Sequence, residues 1–279
     1  MSPLAALVAA VWRRVPGRIG LVVLGIVITG AVAGPFILPS PIAQPDIEHG
    51  GQPPSVAHPM GTDQLSRDVL ARVAGGARVS LSVAAIAVAM SIGVGALVGL
   101  IAGYRGGAVD AVLMRLVDAA LAIPRLFLLL LLLALWERIP LIVFIVAVGA
   151  TGWFGTSRLV RGEVLRLRES EYVAAARALG GGGGRIMFRH LLPNAIGPLL
   201  VAATLGVGDV ILLEAGLSFL GLGIQPPTPS WGGMIFDARE VLVTAPWASV
   251  FPALAITVTV LAANLIGDAL RDAADPRSA

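Results

Sequence analysis

The chain has 279 residues, of which 57% are hydrophobic and only 13% charged, with a mean hydropathy of +0.88 and a net charge of +3. Soluble proteins carry roughly a quarter charged residues, so this composition excludes a soluble domain and predicts an all-α, polytopic integral membrane protein. An outer-membrane barrel would need ~10-residue segments of alternating polarity, and the sequence lacks them.

All twenty basic residues are arginine, and cysteine is absent. The lack of lysine excludes a phosphate-binding P-loop, and the lack of cysteine excludes disulfides and thiolate metal sites. We therefore predict no catalytic residues, no cofactor and no ATP hydrolysis by this chain. The basic isoelectric point is explained by topology-setting arginines rather than by nucleic acid. No metal-ligand spacing is found among the three histidines, His49, His58 and His190.

The first predicted element is a tail, residues 1–18, followed by a span at residues 19–38 with the sequence IGLVVLGIVITGAVAGPFIL. A signal peptide is the alternative, because arginines precede the apolar stretch. The stretch is long for a signal peptide and meets Gly34-Pro35 rather than a cleavage site, which favours an uncleaved anchor. Residues 39–78 are polar and proline-rich, and they predict a small extracytoplasmic segment.

Residues 79–271 predict a core of five further spans, interrupted by a polar loop at 158–194 and followed by a tail at 272–279. In span two, alanine, glycine and serine would let helix backbones approach closely. In span three, Pro124 predicts a kink. The five predicted spans are about 79–103, 111–136, 139–157, 195–220 and 249–270.

The distribution of arginine predicts the orientation of the six spans. Three arginines lie in the N-terminal tail, seven between Arg158 and Arg189, and two in the C-terminal tail. Cytoplasmic loops are enriched in arginine, so both termini and the 158–194 loop are predicted to be cytoplasmic. The opposite side has only Arg67, Arg72, Arg78, Arg138 and Arg239.

The 158–194 loop predicts two short helices separated by glycines. Apolar residues recur on one face from about Glu163 to Leu179, and Gly180 would end that helix. Four more glycines predict a mobile corner unless neighbouring residues clamp it. A second helix, from Arg185 to Leu192, would stop at Pro193. Such an elbow fits a partner's groove or lies on lipid headgroups, and the pattern alone does not decide between them.

Four stretches of this sequence resemble one family of transport proteins. The stretch EYVAAARALGGGGGRIMFRHLLPNA, from Glu171, is similar to the EAA loop of bacterial ABC importer permeases of the dipeptide/oligopeptide (DppC/OppC) group. HPMGTDQLSRDVLARVAGGARVSL, from His58, resembles that group's signature before the second span. LEAGLSFLGLGIQPPTPSWGGMI, from Leu213, and ANLIGDALRDAADPR, from Ala263, resemble its C-terminal half. The similarity covers essentially the whole chain in the right order.

The resemblance implies a multi-pass permease of the bacterial inner membrane that forms half of a translocation path. Its expected partners are a second permease, two cytoplasmic ATPases, an extracytoplasmic binding protein and membrane lipid, with no nucleic acid. Peptides are the expected cargo, and nickel, glutathione and opine-type solutes are alternatives. The residues implied to couple the permease to the ATPases are Glu171, Ala175, Ala176, Gly180 and Pro193.

The sequence departs from the family pattern at two places. The family usually has glycine where this chain has Ser66, and a polar stretch where this chain has residues 181–184. The glycines of 181–184 remove an expected N-terminal capping residue of the second elbow helix, which affects the stiffness of the elbow.

Three of the ionisable residues in the predicted spans stand out, because such residues usually serve a function. Asp209 and Glu214 occur in span five and Arg125 in span three. All three are candidates for lining the translocation path. Glu214 has an alternative role as a structural hydrogen-bond anchor, and Arg125 an alternative position with its charge extended to the membrane interface.

The loop between spans five and six carries Trp231 and Trp247, which are expected to anchor the membrane interface or to contact the binding protein. Two other classes of protein fit the sequence less well. An ion-driven secondary transporter would favour inverted repeats, and none is evident between the two halves. An intramembrane enzyme would need a convergent catalytic group, and Asp209 with Glu214 is insufficient.

Overall fold

The computed structural model describes residues 11–40 and 50–274, and the regular structure in these ranges is helical. A shorter helical segment lies at 183–194. In chain order the principal helices are α1 (Val15–Ile37), α2 (Val69–Arg105), α3 (Gly107–Leu121), α4 (Arg125–Leu133), α5 (Leu141–Leu167), α6 (Glu171–Ala178), α7 (Ile196–Phe219), α8 (Trp231–Asp237) and α9 (Trp247–Ala274).

Helices α1, α2, α5, α7 and α9 are each long and apolar enough to cross a membrane. The pair α3 and α4 is bent by 79° and, counted as one broken span, brings the number to six. The sequence predicted a third span at 111–136 with a kink at Pro124, and the structure has this bent pair of helices there. The predicted kink is confirmed, because the break falls immediately before α4 at Pro124, which has no backbone N–H and disfavours helix at the preceding residue.

Helix α2 begins at Val69, ten residues before the predicted start of span two. Asp68 caps it, because its Oδ1 accepts a hydrogen bond of 2.8 Å from the backbone N–H of Ala71. The other carboxylate oxygen of Asp68 lies 2.8 Å from Nδ1 of His58. The last ten residues of the segment predicted to be extracytoplasmic therefore continue the α2 span.

Helix α5 likewise extends to Leu167, ten residues beyond the predicted end of span four. Val160, Val164 and Leu167 recur at helical spacing and are all buried, so one apolar face continues past the arginines that suggested a loop.

Helices α2 and α5 pack closely along a row of glycines, Gly95, Gly99 and Gly103. A Cβ atom on Gly99 would lie 2.4 Å from the carbonyl oxygen of Ser157 on α5. Glycines at four-residue spacing allow such backbone contact between membrane helices. The close approach predicted for span two is therefore observed.

Helix α1 is packed against the bundle. A Cβ atom on Gly20 would lie 2.7 Å from the carbonyl oxygen of Ala262 in α9, and one on Gly34 would lie 2.8 Å from the side chain of Ala74 in α2. Just before α1, Arg14 forms an ion pair of 2.7 Å with Asp272. These contacts hold α1 against α2 and α9.

Two regions of short helices occupy opposite ends of the bundle. The elbow, residues 168–194, lies against the C-terminal end of α2, the same end at which Arg14 meets Asp272. The lid, residues 231–241, comprises α8 and the following 3-10 turn and packs against the N-terminal ends of α2 and α9. These two regions frame the candidate sites.

The lid corrects the expectation for Trp231. This residue is only 1% exposed, and its indole N–H donates a hydrogen bond of 3.0 Å to the carbonyl of Val73 in α2. It is therefore a core residue and not an interface anchor. Trp247 is partly buried and donates to the carbonyl oxygen of Thr62 at 2.9 Å.

Candidate functional site

Helix α6 forms the exposed part of the elbow. Its first turn carries Glu171 and its last turn Arg177, so both charges complement the helix dipole. The sequence predicted one helix from about Glu163 to Leu179, and the structure breaks it at residues 168–170. There Arg168 donates through Nη1 to the carbonyl of Gly103, at 3.0 Å, and so ties the break to the end of α2.

The end of α6 requires glycine. Gly180 has a φ of +80°, a conformation that side chains disfavour. The N–H of Gly181 donates to the carbonyl of Ala176, and the N–H of Gly180 to that of Arg177, both at 2.9 Å. This pair of bonds is a Schellman motif, and the helix ends where the sequence predicted.

The last two glycines of the run begin a segment that is helical from Gly183 to Asn194, with a π-helical turn at Ile186–Leu191. Gly182 precedes this segment and supplies no capping side chain, as expected from the glycine run. The prediction that the helix stops at Pro193 is wrong. Pro193 lies in the first turn of Leu192–Asn194, where a missing backbone N–H is tolerated.

The elbow is clamped by buried apolar residues. Val173, Ile186 and Leu191 are at most 1% exposed, and they belong to one cluster with Leu100 of α2 and Val164 of α5. Mobility was expected only if nothing held the glycine corner. The structure supplies that clamp, which fixes the elbow to the ends of α2 and α5.

Tyr104 adds a second contact between α2 and the elbow. The guanidinium of Arg177 lies 5.7 Å from the centre of its ring, within cation–π range. A Cβ atom on Gly183 would lie 3.0 Å from the same ring. The absence of a side chain at Gly183 therefore lets the corner close on α2.

The outer face of α6 remains exposed and largely apolar. Tyr172, Ala175 and Leu179 recur at helical spacing, and Leu179 is 89% exposed. Glu171 is also exposed, whereas Ala176 is half-buried. The elbow thus presents a small apolar face on a fixed support.

Glu214 is buried within the helix bundle, where it is only 1% exposed. Its Oε1 accepts hydrogen bonds of 2.8 Å from Ser218 and Ser230, and its Oε2 accepts one of 3.3 Å from Ser80. The carboxyl group therefore joins α7, α2 and the start of the lid. Of the two roles left open by the sequence, this geometry favours the hydrogen-bond anchor.

Arg125 and Asp209 lie on different helices, α4 and α7, and neither contributes to the hydrogen bonds of Glu214. Arg125 begins α4 and donates through Nη2 to the carbonyl of Val148, at 2.7 Å, and through Nε to the hydroxyl of Thr151, at 3.3 Å. Asp209 lies on the exposed face of α7 and interacts electrostatically with Arg125.

A charged cluster that was not predicted from the sequence lies beneath the lid. Arg72 is buried and lies 3.1 Å from Asp237 and 3.4 Å from Asp63. Arg67 pairs with Asp63 at 2.7 Å, and Asp63 also accepts backbone N–H bonds from Leu65 and Arg67. The cluster ties the loop before α2 to α2 and the lid.

Asp237 completes that cluster from the end of α8. Burial raises its pKa above the ordinary value, although the charges of Arg72 and Arg67 act in the opposite direction. In the sequence, the 58–81 stretch is distinguished only by its family resemblance. Nothing local in the sequence signals that its arginines meet an aspartate 165 positions later.

Comparisons with known proteins agree with this architecture. Residues 95–279 match the model of the family described as "Binding-protein-dependent transport system inner membrane component". The oligopeptide transport system permease protein OppC of Bacillus subtilis (strain 168) is 39% identical over 259 residues, which are 93% of this chain and 85% of the relative.

Two dipeptide transport system permease proteins, both named DppC, are also similar. The protein of Alkalihalophilus pseudofirmus is 42% identical over 260 residues, covering 93% of this chain and 85% of the relative. The protein of Bacillus subtilis is 40% identical over 271 residues, covering 95% and 84%. This chain therefore belongs to the family of inner-membrane components of binding-protein-dependent transport systems, as a permease subunit of an ABC importer.

Proposed function

We propose that this permease forms one half of a peptide translocation path and receives mechanical work from a cytoplasmic ATPase that docks on its elbow. The main observation that supports this proposal is the exposed face of Tyr172, Ala175 and Leu179. The same helix is fixed to the bundle by Val173, which is fully buried. A partner that pushes on this face moves α2 and α5 with it.

Peptide cargo is inferred from the relatives. The similar proteins of Bacillus subtilis and Alkalihalophilus pseudofirmus are named for oligopeptide and dipeptide transport. A complete importer would contain this chain, a second permease, two ATPases and an extracytoplasmic binding protein. ATP hydrolysis would belong to the ATPases.

The proposed orientation places the elbow and both chain ends in the cytoplasm. The elbow lies at the same end of the bundle as the Arg14 to Asp272 ion pair, which joins residues near the beginning and the end of the sequence. This end also carries most of the arginines, which favours a cytoplasmic location. The lid would then face the binding protein.

Helix α2 is proposed to transmit the motion between these ends. Near its C-terminal end, Tyr104 contacts Arg177 and Gly183 of the elbow. Near its N-terminal end, Arg72 bonds to Asp237 and Ser80 to Glu214. Since α2 is one continuous helix of 37 residues, a displacement at the elbow reaches the lid without a flexible joint.

Cysteine crosslinking tests the docking proposal, because the chain has no native cysteine. Ala175→Cys in the complete importer is expected to crosslink to an ATPase subunit and to carry peptide transport before crosslinking. Val56→Cys, at a fully exposed position in the loop before α2, is the control and should not reach the ATPase. If Ala175→Cys captured only lipid, the docking proposal would be wrong.

A further inference from the structure

An intramembrane cavity lies at the break between α3 and α4. It has a volume of about 270 Å³ and is lined by Arg125, Leu121, Leu128, Thr151, Phe154 and Gly155. Pockets for small molecules begin at ~300 Å³, so one subunit supplies close to the space that a small solute needs. The wall is apolar except around Arg125 and Thr151.

The charge of Arg125 is held in place by neutral groups. Its Nε and Nη2 donate to the Thr151 hydroxyl and the Val148 carbonyl, which fix the guanidinium but do not neutralise it. In the part of the chain that the structure describes, Asp209 is the acidic group that interacts with it electrostatically. A cation at membrane depth is costly, and such residues commonly mark a solute pathway.

Asp209 lies on α7, outside the residues that line the cavity. It lies near the middle of that helix and is exposed, whereas its neighbours Gly208 and Val210 are buried. Thr151, which orients Arg125, lies near the middle of α5. A positive and a negative group therefore stand at similar depth on surfaces that this chain leaves open.

We propose that Arg125 binds the carboxylate of a solute crossing the membrane, and that Asp209 is its counter-ion when the path is empty. This inference rests on the proposed transport function and adds the solute chemistry: a free carboxylate. Arginine presents a planar pair of donors that matches a carboxylate, and the fixed guanidinium orients that pair. The cargo's carboxylate would displace the Asp209 interaction, and Asp209 would then be available to its ammonium group.

The cavity is probed in the complete importer, with its binding protein and ATPases, in proteoliposomes. Gly155 lines the cavity and has open space around it, so Gly155→Cys places a thiol there without a clash. Its reaction with an anionic sulfonate methanethiosulfonate is compared with its reaction with a cationic trimethylammonium one. The control is Gly25→Cys on α1, also in open space, which is expected to react with neither.

Charge variants identify the source of the reagent preference. Arg125→Gln is expected to lower the ratio of anionic to cationic labelling about tenfold, since one unit charge acts across a few ångströms of a partly dry cavity. Asp209→Asn is expected to raise that ratio, and Arg125→Lys to preserve it. Asp209 is exposed, so its substitution tests the proposal even if Arg125→Gln fails to assemble.

Protection by solutes tests the carboxylate itself. Alanyl-alanine is expected to slow the labelling of Gly155→Cys, and alanyl-alanine amide to leave it unchanged. Equal protection by both, a ratio unaffected by the charge variants, or a thiol as unreactive as that of Gly25→Cys would overturn the proposal. An importer that transports peptide yet gives any of these results retains its proposed function, whereas one that transports no peptide refutes that function first.

Discussion

The elbow and the lid are held by different kinds of interaction. The elbow is anchored by apolar side chains, such as Val173 and Ile186, and leaves an apolar face uncovered. The lid is held by buried polar groups, Arg72 with Asp237 and Glu214 with Ser230, and its largest side chain, Trp231, is enclosed. One end leaves an apolar face uncovered, where we propose that a partner docks, and the other encloses its own segments.

This difference indicates how each region tolerates change. Apolar contacts are adjustable, so the elbow can shift slightly as a partner closes. Buried charges keep their full cost when a partner is lost, so the lid moves as a unit or opens completely. Helix α2 contributes to both regions. Loss of its packing on α5 would therefore disrupt the elbow and the lid together.

The largest expected effect comes from a substitution that disrupts the packing of α2 on α5 and so affects both the elbow and the lid. Gly99→Leu would drive a side chain into the backbone of α5, where a Cβ atom alone would lie 2.4 Å from the Ser157 carbonyl. We expect a cost of about 3 kcal/mol, the upper end for overpacking, because backbone cannot move aside. Size-exclusion chromatography of the fluorescently tagged chain should show little folded protein.

The matched control for this substitution is Gly93→Leu, on the same helix with no atom near its added Cβ. This variant should fold normally. Comparable folded yields for the two variants would show that the glycine row does not determine the packing of α2 on α5.

The second prediction breaks the lid alone. Asp237→Ala leaves Arg72 buried beside one carboxylate fewer, and we expect local opening to become easier by about 2 kcal/mol, less than for a fully buried pair because Asp237 is partly exposed. A cysteine at Ala238, which is 1% exposed, reports the opening. Its labelling rate should rise roughly 30-fold.

Glu240→Ala, in the same Ala238→Cys background, is the control for Asp237→Ala. The side chain of Glu240 is largely exposed, and its pair with Arg239 at 3.6 Å lies on the surface. The labelling rate should hardly change. Equal acceleration by both substitutions would mean that the buried cluster does not hold the lid.

The third prediction disturbs the elbow alone. Gly180→Val places a β-branched residue at a φ of +80° and should cost about 1.5 kcal/mol at the end of α6. The elbow conformation that docks would be about tenfold less populated. We expect fewer peptides transported per ATP hydrolysed, with unchanged labelling of Ala238→Cys at the lid.

Gly184→Ala provides the comparison within the same glycine run, because its φ is not positive and its added Cβ meets no atom. It should leave the ratio of transport to ATP hydrolysis unchanged. A loss of coupling in both variants would point to general flexibility of the run rather than to the conformation of Gly180.

The sequence predicted what local patterns encode. Apolar length predicted the spans, Pro124 the kink, and Gly180 the end of α6. It did not predict the continuation of α5 to Leu167, because Arg158 and Arg161 suggested a loop and the apolar face from about Glu163 was assigned to a separate helix. The lid was missed because Trp231 and Asp237 bond to a helix more than 150 residues earlier.

The smallest prediction strengthens the lid region. Ser66 has a φ of +57°, where side chains are disfavoured, and its hydroxyl is buried without a hydrogen-bond partner in the described structure. Ser66→Gly relieves both costs but gives the unfolded chain more freedom, so we expect a net gain of about 0.5 kcal/mol. Labelling of Ala238→Cys should slow roughly twofold.

Ser66→Ala separates the two contributions, because it removes the hydroxyl while keeping a Cβ atom at positive φ. If backbone conformation dominates, alanine should give less protection of Ala238→Cys than glycine. If the two variants protect equally, the buried hydroxyl is the main cost. The adjoining loop is pinned to the lid by Gln64, which donates to the carbonyl of Asp237 at 3.1 Å, so relief at position 66 is transmitted to the reporter.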